Sequence, residues 1–167
     1  LKQLNFALEQ ANKNPEETTR LVLKALSLSG QRGVLASGWG GLSQSDLPET
    51  VHMISSAPHS WLFSQMAVVV HHGGAGTTAA GLRAGIPSII IPFFGDQPFW
   101  GRCVVDLGVG PTPIPRKQLT AERLAQAITQ AVSNTSMRQR ASDLGAKIRT
   151  EDGIARAVEV IQNLGKP

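Results

Sequence analysis

The segment HHGGAGTTAAG, residues 71–81, places histidines, closely spaced glycines and two threonines between a run of valines and an amphipathic stretch. Glycines let backbone N–H groups approach a ligand closely, and the N-terminus of a helix favours negative charge. Thr77 and Thr78 add hydroxyl donors, and the imidazole of His72 can donate to an oxyanion. The mixture suits a pyrophosphate group. The alternative is a tight strand-to-helix turn in which Thr77 caps the helix and the histidines pack or face solvent.

Two common phosphate-binding patterns do not occur in the sequence. Neither the Gly-Lys-Ser/Thr ending of a P-loop nor the G-x-G-x-x-G pattern of dinucleotide-binding folds is found. A metal site at this segment is unexpected, because His71 and His72 are adjacent and would point to opposite faces of a strand. The sequence also has no Asp-x-Asp pattern. We therefore expect neither a metal nor a cofactor.

A second group of polar residues follows another apolar run. Asp96 and Gln97 offer carboxylate and amide oxygens and an amide donor, which suits the hydroxyls of a sugar. The alternative for Asp96 is a capping role at the next helix. The flanking residues Phe94, Phe99 and Trp100 would form an apolar wall for an acceptor molecule or pack in the core.

A parallel sheet would bring these two groups together. Four short runs are almost continuously apolar, as expected for strands that are buried on both faces: residues 33–37, 51–55, 67–71 and 88–92. Helical patterns alternate with several of these runs, which predicts an α/β fold with helices on both faces of the sheet. Ligands of such sheets bind beyond the carboxyl ends of the strands. That rule selects the loops at residues 38–41, 56–59, 72–78 and 93–97.

The predicted helices carry clear end signals. Asn14 can cap a first helix that begins at Pro15 and ends before Gly30. Thr120 and Asp152 can cap two later helices. The other helical patterns give the predicted spans 77–84, 97–107, 121–133, 137–149 and 153–164.

Composition limits the classes of partner. The 167 residues suffice for one domain, and 16 Lys+Arg against 12 Asp+Glu give a net charge of +4. The basic residues are scattered, so we expect no nucleic-acid partner, although an anionic small molecule or membrane face would suit the charge. Cys103 is the only cysteine, which fits a reducing compartment. Without a bilayer-length apolar run or a signal pattern, we expect a cytoplasmic location.

A longer block of sequence resembles a known family. Residues 59–101, HSWLFSQMAVVVHHGGAGTTAAGLRAGIPSIIIPFFGDQPFWG, resemble the nucleotide-sugar signature of family 1 and family 28 glycosyltransferases. The similarity is greater to sterol 3-β-glucosyltransferases than to the glycosyltransferases of glycopeptide antibiotic synthesis. The stretches SGWGGL at residues 37–42 and DLGVGPTPIPRKQLTAERLAQAI at residues 106–128 are similar to that family too. The resemblance spans roughly residues 15–164.

The resemblance implies the GT-B architecture, in which two Rossmann-like domains face each other across a cleft. The chain resembles the C-terminal domain, which binds the donor nucleotide sugar. It implies the donor half of an inverting, metal-independent glycosyltransferase, with UDP-glucose or a related nucleotide sugar as donor and a sterol or similar lipid-like alcohol as acceptor. An N-terminal acceptor-binding domain would be the partner. That domain would supply the general base, a histidine with no equivalent in this sequence, so the chain alone is expected to be inactive.

The resemblance also assigns residues to the donor site. His72 and the backbone of residues 73–76 would meet the diphosphate with Thr77 and Thr78, whereas His71 would be structural. Asp96 and Gln97 would bind the hexose. Ala80 stands where plant members have a Glu for the ribose. The complete nucleotide-sugar set is Ser37, Trp39, Ser56, Ala57, His59, His72, Gly74, Ala75, Gly76, Thr77, Thr78, Asp96 and Gln97.

One region departs from the family pattern. Members begin this domain with a strand and a Gly-Ser loop, whereas residues 1–14 read LKQLNFALEQANKN. Residues 4–8 are compatible with a strand, but the stretch LNFALEQA, residues 4–11, also has the composition of a helix. We therefore treat residues 1–167 as one nucleotide-sugar-binding domain with an atypical segment 1–14 and a family-like part 15–167.

Two other functional hypotheses remain at this stage. The first is a non-catalytic nucleotide-sugar-binding or interaction module left by truncation or gene splitting. The second is a nucleotide-sugar epimerase, which shares the fold but not the DQPFWG block. For a full enzyme with a lipid-like acceptor, peripheral association with a membrane also stays open.

Overall fold

The computed structural model describes residues 3–7, 15–36 and 47–164, and the structural statements below refer to these ranges. Five strands form one sheet: β1 (Gln3–Ala7), β2 (Gly33–Ala36), β3 (Val51–Ile54), β4 (Met66–His71) and β5 (Ser88–Ile90). Seven α-helices are described: α1 (Pro15–Ser29), α2 (His59–Leu62), α3 (Ala75–Ala84), α4 (Gln97–Asp106), α5 (Ala121–Ser133), α6 (Thr135–Thr150) and α7 (Gly153–Leu164). Two 3₁₀ turns cover Phe63–Gln65 and Arg116–Gln118.

The sheet has the strand order β3-β2-β1-β4-β5, and every neighbouring pair is parallel. Strand β1 is central, with Leu4 opposite Gly33 on β2 and Phe6 opposite Val70 on β4. The direction of the connections reverses between β1 and β4, which is the switch point where α/β sheets open a crevice for ligands. The predicted α/β fold is confirmed.

The structure decides between strand and helix for the first residues. Gln3–Ala7 is a strand, because its place between two apolar strands outweighs the helical preference of the surrounding letters. Residues 8–14 lie outside the described residues. The position of the family's Gly-Ser loop and the predicted cap Asn14 fall within that segment.

Helices cover both faces of the sheet. On one face, Val68 and Val70 belong to the same buried cluster as Leu26 of α1 and Leu124 of α5. On the other face, Val69 packs in a cluster with Leu62 and Phe63, and Ile90 packs with Val104 of α4 and Ala141 of α6. Burial on both faces explains why the strands read as unbroken apolar runs.

The ends of several helices test the predicted caps. Thr120 accepts from the N–H of Arg123 at 3.2 Å, and Asp152 accepts from the N–H of Ala155 at 2.9 Å, so both predicted caps are confirmed. Helix α6 begins two residues before its predicted start, and Asn134 caps it by accepting from the N–H of Met137 at 2.9 Å.

Helix α7 differs from the other helices in exposure. Its large apolar side chains are largely open to solvent, with Ile154 and Leu164 each 81% exposed and Ile161 68% exposed. Among the described residues, no helix is both long enough and apolar enough to cross a membrane.

Candidate functional site

The turn between β4 and α3 depends on glycine at one position. Gly73 has a φ of +92°, a conformation that side-chain-bearing residues rarely adopt. A Cβ at this position would lie 2.6 Å from Cγ2 of Ile90 and 3.2 Å from the carbonyl oxygen of Gln97. Both the backbone conformation and the space therefore require glycine.

His71 anchors this turn from the end of β4. Its side chain is fully buried, and its Nδ1 accepts a hydrogen bond from the N–H of Gly73 at 3.1 Å. Its Nε2 is buried and has no hydrogen-bond partner among the described residues. Burial, with smaller contributions from the nearby His72 and His59, lowers the pKa of His71 to about 3. The imidazole is therefore neutral near pH 7, and Nδ1 remains an acceptor. The expected structural role of this histidine fits that environment.

His72 lies across the turn and is half-buried. Its Nδ1 is enclosed without a hydrogen-bond partner, whereas its Nε2 lies 2.5 Å from where a Cβ on Gly74 would stand. A side chain at residue 74 would displace the imidazole. Nε2 is therefore the nitrogen of this ring that lies on the side of the turn, and contact of His72 with a ligand stays a prediction.

Helix α3 begins earlier than the sequence predicts. It starts at Ala75 with Gly74 as its N-cap, and no side chain caps it. Thr77 therefore stands inside the first turn, and the alternative interpretation of Thr77 as the cap is wrong. The helix begins early because Gly74 supplies the extended cap conformation, with φ −62° and ψ 145°, although Gly-Ala-Gly is a weak helix start.

The first turn of α3 presents several hydrogen-bond donors. The N–H of Thr78 bonds to the carbonyl of Gly74 at 2.9 Å, so the N–H groups of the three preceding residues have no partner within the helix. Gly76 is exposed and faces open space, since a Cβ there would meet no atom within 4 Å. An anion can approach this backbone without obstruction.

The two threonines of this turn have different environments. Thr78 is buried, and its hydroxyl donates to the carbonyl of Gly74 at 2.9 Å. A hydroxyl has only one hydrogen to donate, so Thr78 in this geometry has none left for a ligand. Thr77 is half-buried, and its hydroxyl makes no hydrogen bond within the described part of the chain. Thr77 is therefore the hydroxyl donor that is available at this helix end.

The neighbouring loop, between β5 and α4, is held by Gln97. This side chain is 5% exposed, and its Oε1 accepts from the N–H of Phe93 at 2.7 Å and from that of Phe94 at 3.2 Å. The oxygen of the predicted hexose-binding amide is thus already engaged with the loop. The amide donor of Gln97 is the part that stays available for the predicted sugar contact.

Asp96 occupies the N-cap position of α4 without capping it. Its side chain makes no hydrogen bond to the helix N-terminus, and its Oδ2 instead accepts from Nε1 of Trp100 at 2.8 Å. The capping role considered for Asp96 is therefore wrong. The residue is exposed, and its carboxylate is oriented by an indole.

The flanking aromatic residues are not core residues. Phe94 is 57% exposed and Phe99 is 51% exposed, so core packing is wrong for these two. Trp100 is half-buried and meets the ring of Phe99 edge-on, with the ring centroids 5.2 Å apart. The apolar wall for an acceptor remains a prediction.

The two loops are adjacent in space. Strands β4 and β5 pair with His71 opposite Ile90, and the N–H of Ile91 bonds to the carbonyl of His71 at 2.9 Å. A Cβ added to Gly73 would lie only 3.2 Å from the carbonyl oxygen of Gln97, so the first loop packs directly against the start of α4. The structure thus brings the predicted diphosphate and hexose residues to one edge of the sheet.

The predicted nucleotide-sugar residues Ser56, Ala57 and His59 lie beside α3. Ala57 and Ala80 pack against the same buried cluster, while Ser56 is exposed. The ring of His59 stacks on Phe63 with centroids 4.6 Å apart and planes 15° apart. Ser37 and Trp39 lie outside the described residues. Within the ranges that the structure describes, no three His, Cys, Asp or Glu side chains are arranged to hold a metal ion.

Comparison with known families decides the classification. The family described as erythromycin biosynthesis protein CIII-like, C-terminal domain, matches residues 40–164. The chain belongs to this family. Sterol 3-beta-glucosyltransferase UGT80B1 of Arabidopsis thaliana is 44% identical to this EryCIII-like domain over 148 residues, which is 87% of the chain. The chain spans 24% of that relative's length.

Solved structures agree with this classification. The glycotransferase of kitacinnamycin superposes on the EryCIII-like domain with a TM-score of 0.85 at 26% identity, covering 98% of this chain and 43% of the other. UDP-glucose: anthocyanidin 3-O-glucosyltransferase in complex with UDP gives a TM-score of 0.76 at 22% identity, covering 91% of this chain and 36% of the other, and shows the fold alone. The resemblance to a C-terminal GT-B glycosyltransferase domain is confirmed.

Sequence reasoning missed one part of this site. The sequence predicts Trp100 only as a wall or core residue, whereas in the structure its indole donates to the carboxylate of Asp96. Residues four apart on a helix lie on the same face, so the spacing of Asp96 and Trp100 at a predicted helix start could have indicated the contact.

Proposed function

We propose that this EryCIII-like domain binds the donor nucleotide sugar of an inverting glycosyltransferase of the UDP-glucose type. The observation that carries the proposal is the uncapped start of α3. There, the N–H groups of residues 75–77 have no partner within the helix, and a Cβ on Gly76 would meet no atom within 4 Å. The hydroxyl of Thr77, in the same turn, makes no hydrogen bond within the described part of the chain. This set of neutral donors at a positive helix end suits a diphosphate.

The chemistry needs such a site. In an inverting transfer, the acceptor oxygen forms a bond to the anomeric carbon while the bond from that carbon to the diphosphate breaks. The bonding electrons leave with the nucleoside diphosphate, and the proton of the acceptor hydroxyl goes to a general base. The α3 N-terminus, Thr77 and Nε2 of His72 would stabilise the negative charge that develops on the leaving group. This arrangement would serve without a metal ion.

The second loop would hold the hexose. Asp96 is exposed beside the first loop and does not cap its helix, and its Oδ1 is left to accept hydrogen bonds from sugar hydroxyls while Oδ2 accepts from Trp100. Gln97 would add its amide donor. The two loops would then bind different parts of one donor, the diphosphate at α3 and the sugar at α4.

The general base would come from an N-terminal acceptor-binding domain, and the chain alone would be inactive. The exposed apolar side chains of α7, among them Ile154 and Leu164, support a partner surface of this kind. The relatives named as sterol 3-beta-glucosyltransferases support a sterol or a similar lipid-like alcohol as acceptor. A full enzyme would then meet its acceptor at a membrane surface.

Calorimetric titration with UDP tests the donor site. We expect UDP to bind the unaltered domain, and His72→Ala or Thr77→Val to weaken binding by about five- to tenfold because each removes one donor to the phosphates. Thr129→Val, which changes an exposed threonine on α5, is the matched control and should leave the affinity unchanged. A domain that remains folded but binds no UDP would contradict the proposal.

A further inference from the structure

Asp96 and Trp100 are joined twice at the start of α4. The backbone N–H of Trp100 donates to the carbonyl of Asp96 at 3.2 Å, as expected one helical turn apart. The indole Nε1 also donates to Oδ2 of the Asp96 carboxylate at 2.8 Å. The side-chain contact is the unusual one, because an Asp at this position commonly turns its carboxylate onto the helix N–H groups.

The indole is itself held in place. Trp100 is half-buried and contacts the edge of Phe99, with an angle of 76° between the ring planes. The next residue, Gly101, is buried, and a Cβ there would lie 2.8 Å from Cγ of Pro113. This close approach packs α4 against the segment that follows the helix. The donor nitrogen of Trp100 therefore has a defined position.

We propose that Trp100 is a positioning residue that orients Asp96 for binding the hexose. The proposal rests on the donor-binding function proposed above. The indole engages Oδ2 and leaves Oδ1 to accept from the sugar hydroxyls. It also holds the carboxylate in one rotamer, which an exposed side chain without a capping contact would not otherwise keep. Without the indole, the carboxylate would populate several rotamers and bind the hexose more weakly.

The effect is specific to the hexose. The diphosphate donors lie on α3 and are anchored by His71, so loss of the indole should leave the affinity for UDP almost unchanged. The gain in affinity from UDP to UDP-glucose should fall. The ratio of the two dissociation constants is therefore the quantity that reports the role of Trp100, and a general loss of folding would not change it selectively.

Two substitutions of Trp100 make a matched pair. Trp100→Phe keeps an aromatic ring and removes the N–H donor. Trp100→His also shortens the ring system but restores a donor, since imidazole Nε2 is as many bonds from Cβ as indole Nε1. At pH 8 an ordinary histidine is neutral, so no new charge faces Asp96. Asp96→Ala gives the ratio that remains when the carboxylate is absent.

The experiment is titration of each variant with UDP and with UDP-glucose at pH 8. We expect Trp100→Phe to reduce the affinity ratio about three- to tenfold, Trp100→His to recover most of it, and Asp96→Ala to remove it. The double variant Asp96→Ala with Trp100→Phe should match Asp96→Ala alone, since the indole acts only through the carboxylate.

The outcomes separate this proposal from the donor function. If Trp100→Phe retains the full ratio while Asp96→Ala loses it, the positioning role is overturned and the donor site stands. Equal affinities of the unaltered domain for UDP and UDP-glucose would overturn the roles of both Asp96 and Trp100. Absence of UDP binding to the folded domain would overturn the donor function itself.

Discussion

The two loops that follow β4 and β5 lie side by side and are held from opposite ends. The first loop is anchored by His71, which precedes it on a buried strand and binds the N–H of Gly73. The second loop is anchored by Gln97 and Trp100, which follow it on α4 and bind the loop backbone and the Asp96 carboxylate.

The difference fits what each loop presents. The first loop leads to a helix end whose useful groups are backbone N–H donors, so its anchor lies behind it and leaves those donors unoccupied. The second loop presents a carboxylate, which has several orientations open to it, and a side chain from the following helix restricts them. A loop that binds through its backbone needs a fixed path. A loop that binds through a side chain also needs a fixed rotamer.

The largest expected effect distinguishes the packing of the two loops. Gly73 and Gly95 both have positive φ values, +92° and +66°. A Cβ added to Gly73 would collide with Ile90, whereas a Cβ added to Gly95 would meet no atom within 4 Å. Gly95→Ala should cost about 1 kcal/mol of unfolding free energy from backbone strain alone. Gly73→Ala should cost about 3 kcal/mol or more, because it adds overpacking against Ile90. Urea denaturation measures both, and equal losses would show that the first loop is no more tightly packed than the second.

The next effect concerns the anchor of the first loop. The pKa of His71 is about 3 in the folded chain and near 6.5 when unfolded, so between these values protons bind the unfolded chain preferentially. The contribution of His71 to the free energy of unfolding is therefore fully present above pH 6.5. It is lost as the pH falls, by about 2 kcal/mol at pH 5. His71→Asn cannot titrate and retains an acceptor for Gly73.

Urea denaturation at pH 7.5 and pH 5 checks this effect. The unaltered domain should lose about 2 kcal/mol more between the two pH values than His71→Asn does. The carboxylates and other histidines of the domain are common to both proteins, so the difference isolates residue 71. Identical pH dependence in the two proteins would contradict a buried, neutral His71.

The smallest expected effect separates binding from folding within the first loop. A Cβ at Gly76 meets no atom, and alanine favours a helix more than glycine does, so Gly76→Ala should raise stability by about 0.5–1 kcal/mol. The same methyl group would stand where the diphosphate approaches, and UDP affinity should fall by about fivefold. Thermal denaturation and calorimetry measure the two quantities. Stabilisation without loss of UDP affinity would mean that the ligand does not approach the start of α3.

Much of the fold could be predicted from the sequence, because buried parallel strands have an unmistakable apolar pattern. The predicted runs ending at His71 and beginning at Ser88 match β4 and β5 to within one or two residues. The sequence alone does not decide between strand and helix for the first strand, because its central position in the sheet depends on pairing with distant residues. The sequence predicts the start of α3 two residues too late, because Gly74 and Gly76 are weak helix formers and Thr77 is a favourable cap.

The site could be located from the sequence, but its hydrogen bonds could not. The rule that ligands bind at strand ends selected both loops, and the structure places them together. The sequence predicts that the polar groups of Thr78 and Gln97 are available to a ligand. In the structure, the Thr78 hydroxyl donates to the carbonyl of Gly74, and the Gln97 oxygen accepts from the N–H of Phe93. Such contacts depend on distances between neighbouring backbones, which residue types and spacing do not specify.

Amide chemical shifts during titration test the central claim that one loop holds the diphosphate and the other the sugar. With ¹⁵N-labelled domain, UDP should shift the amide signals of Ala75, Gly76 and Thr77 most strongly. UDP-glucose should add shifts at Asp96 and at the indole N–H of Trp100. Shifts centred elsewhere on the sheet, with the signals of residues 75–77 unchanged at saturating UDP, would contradict the account.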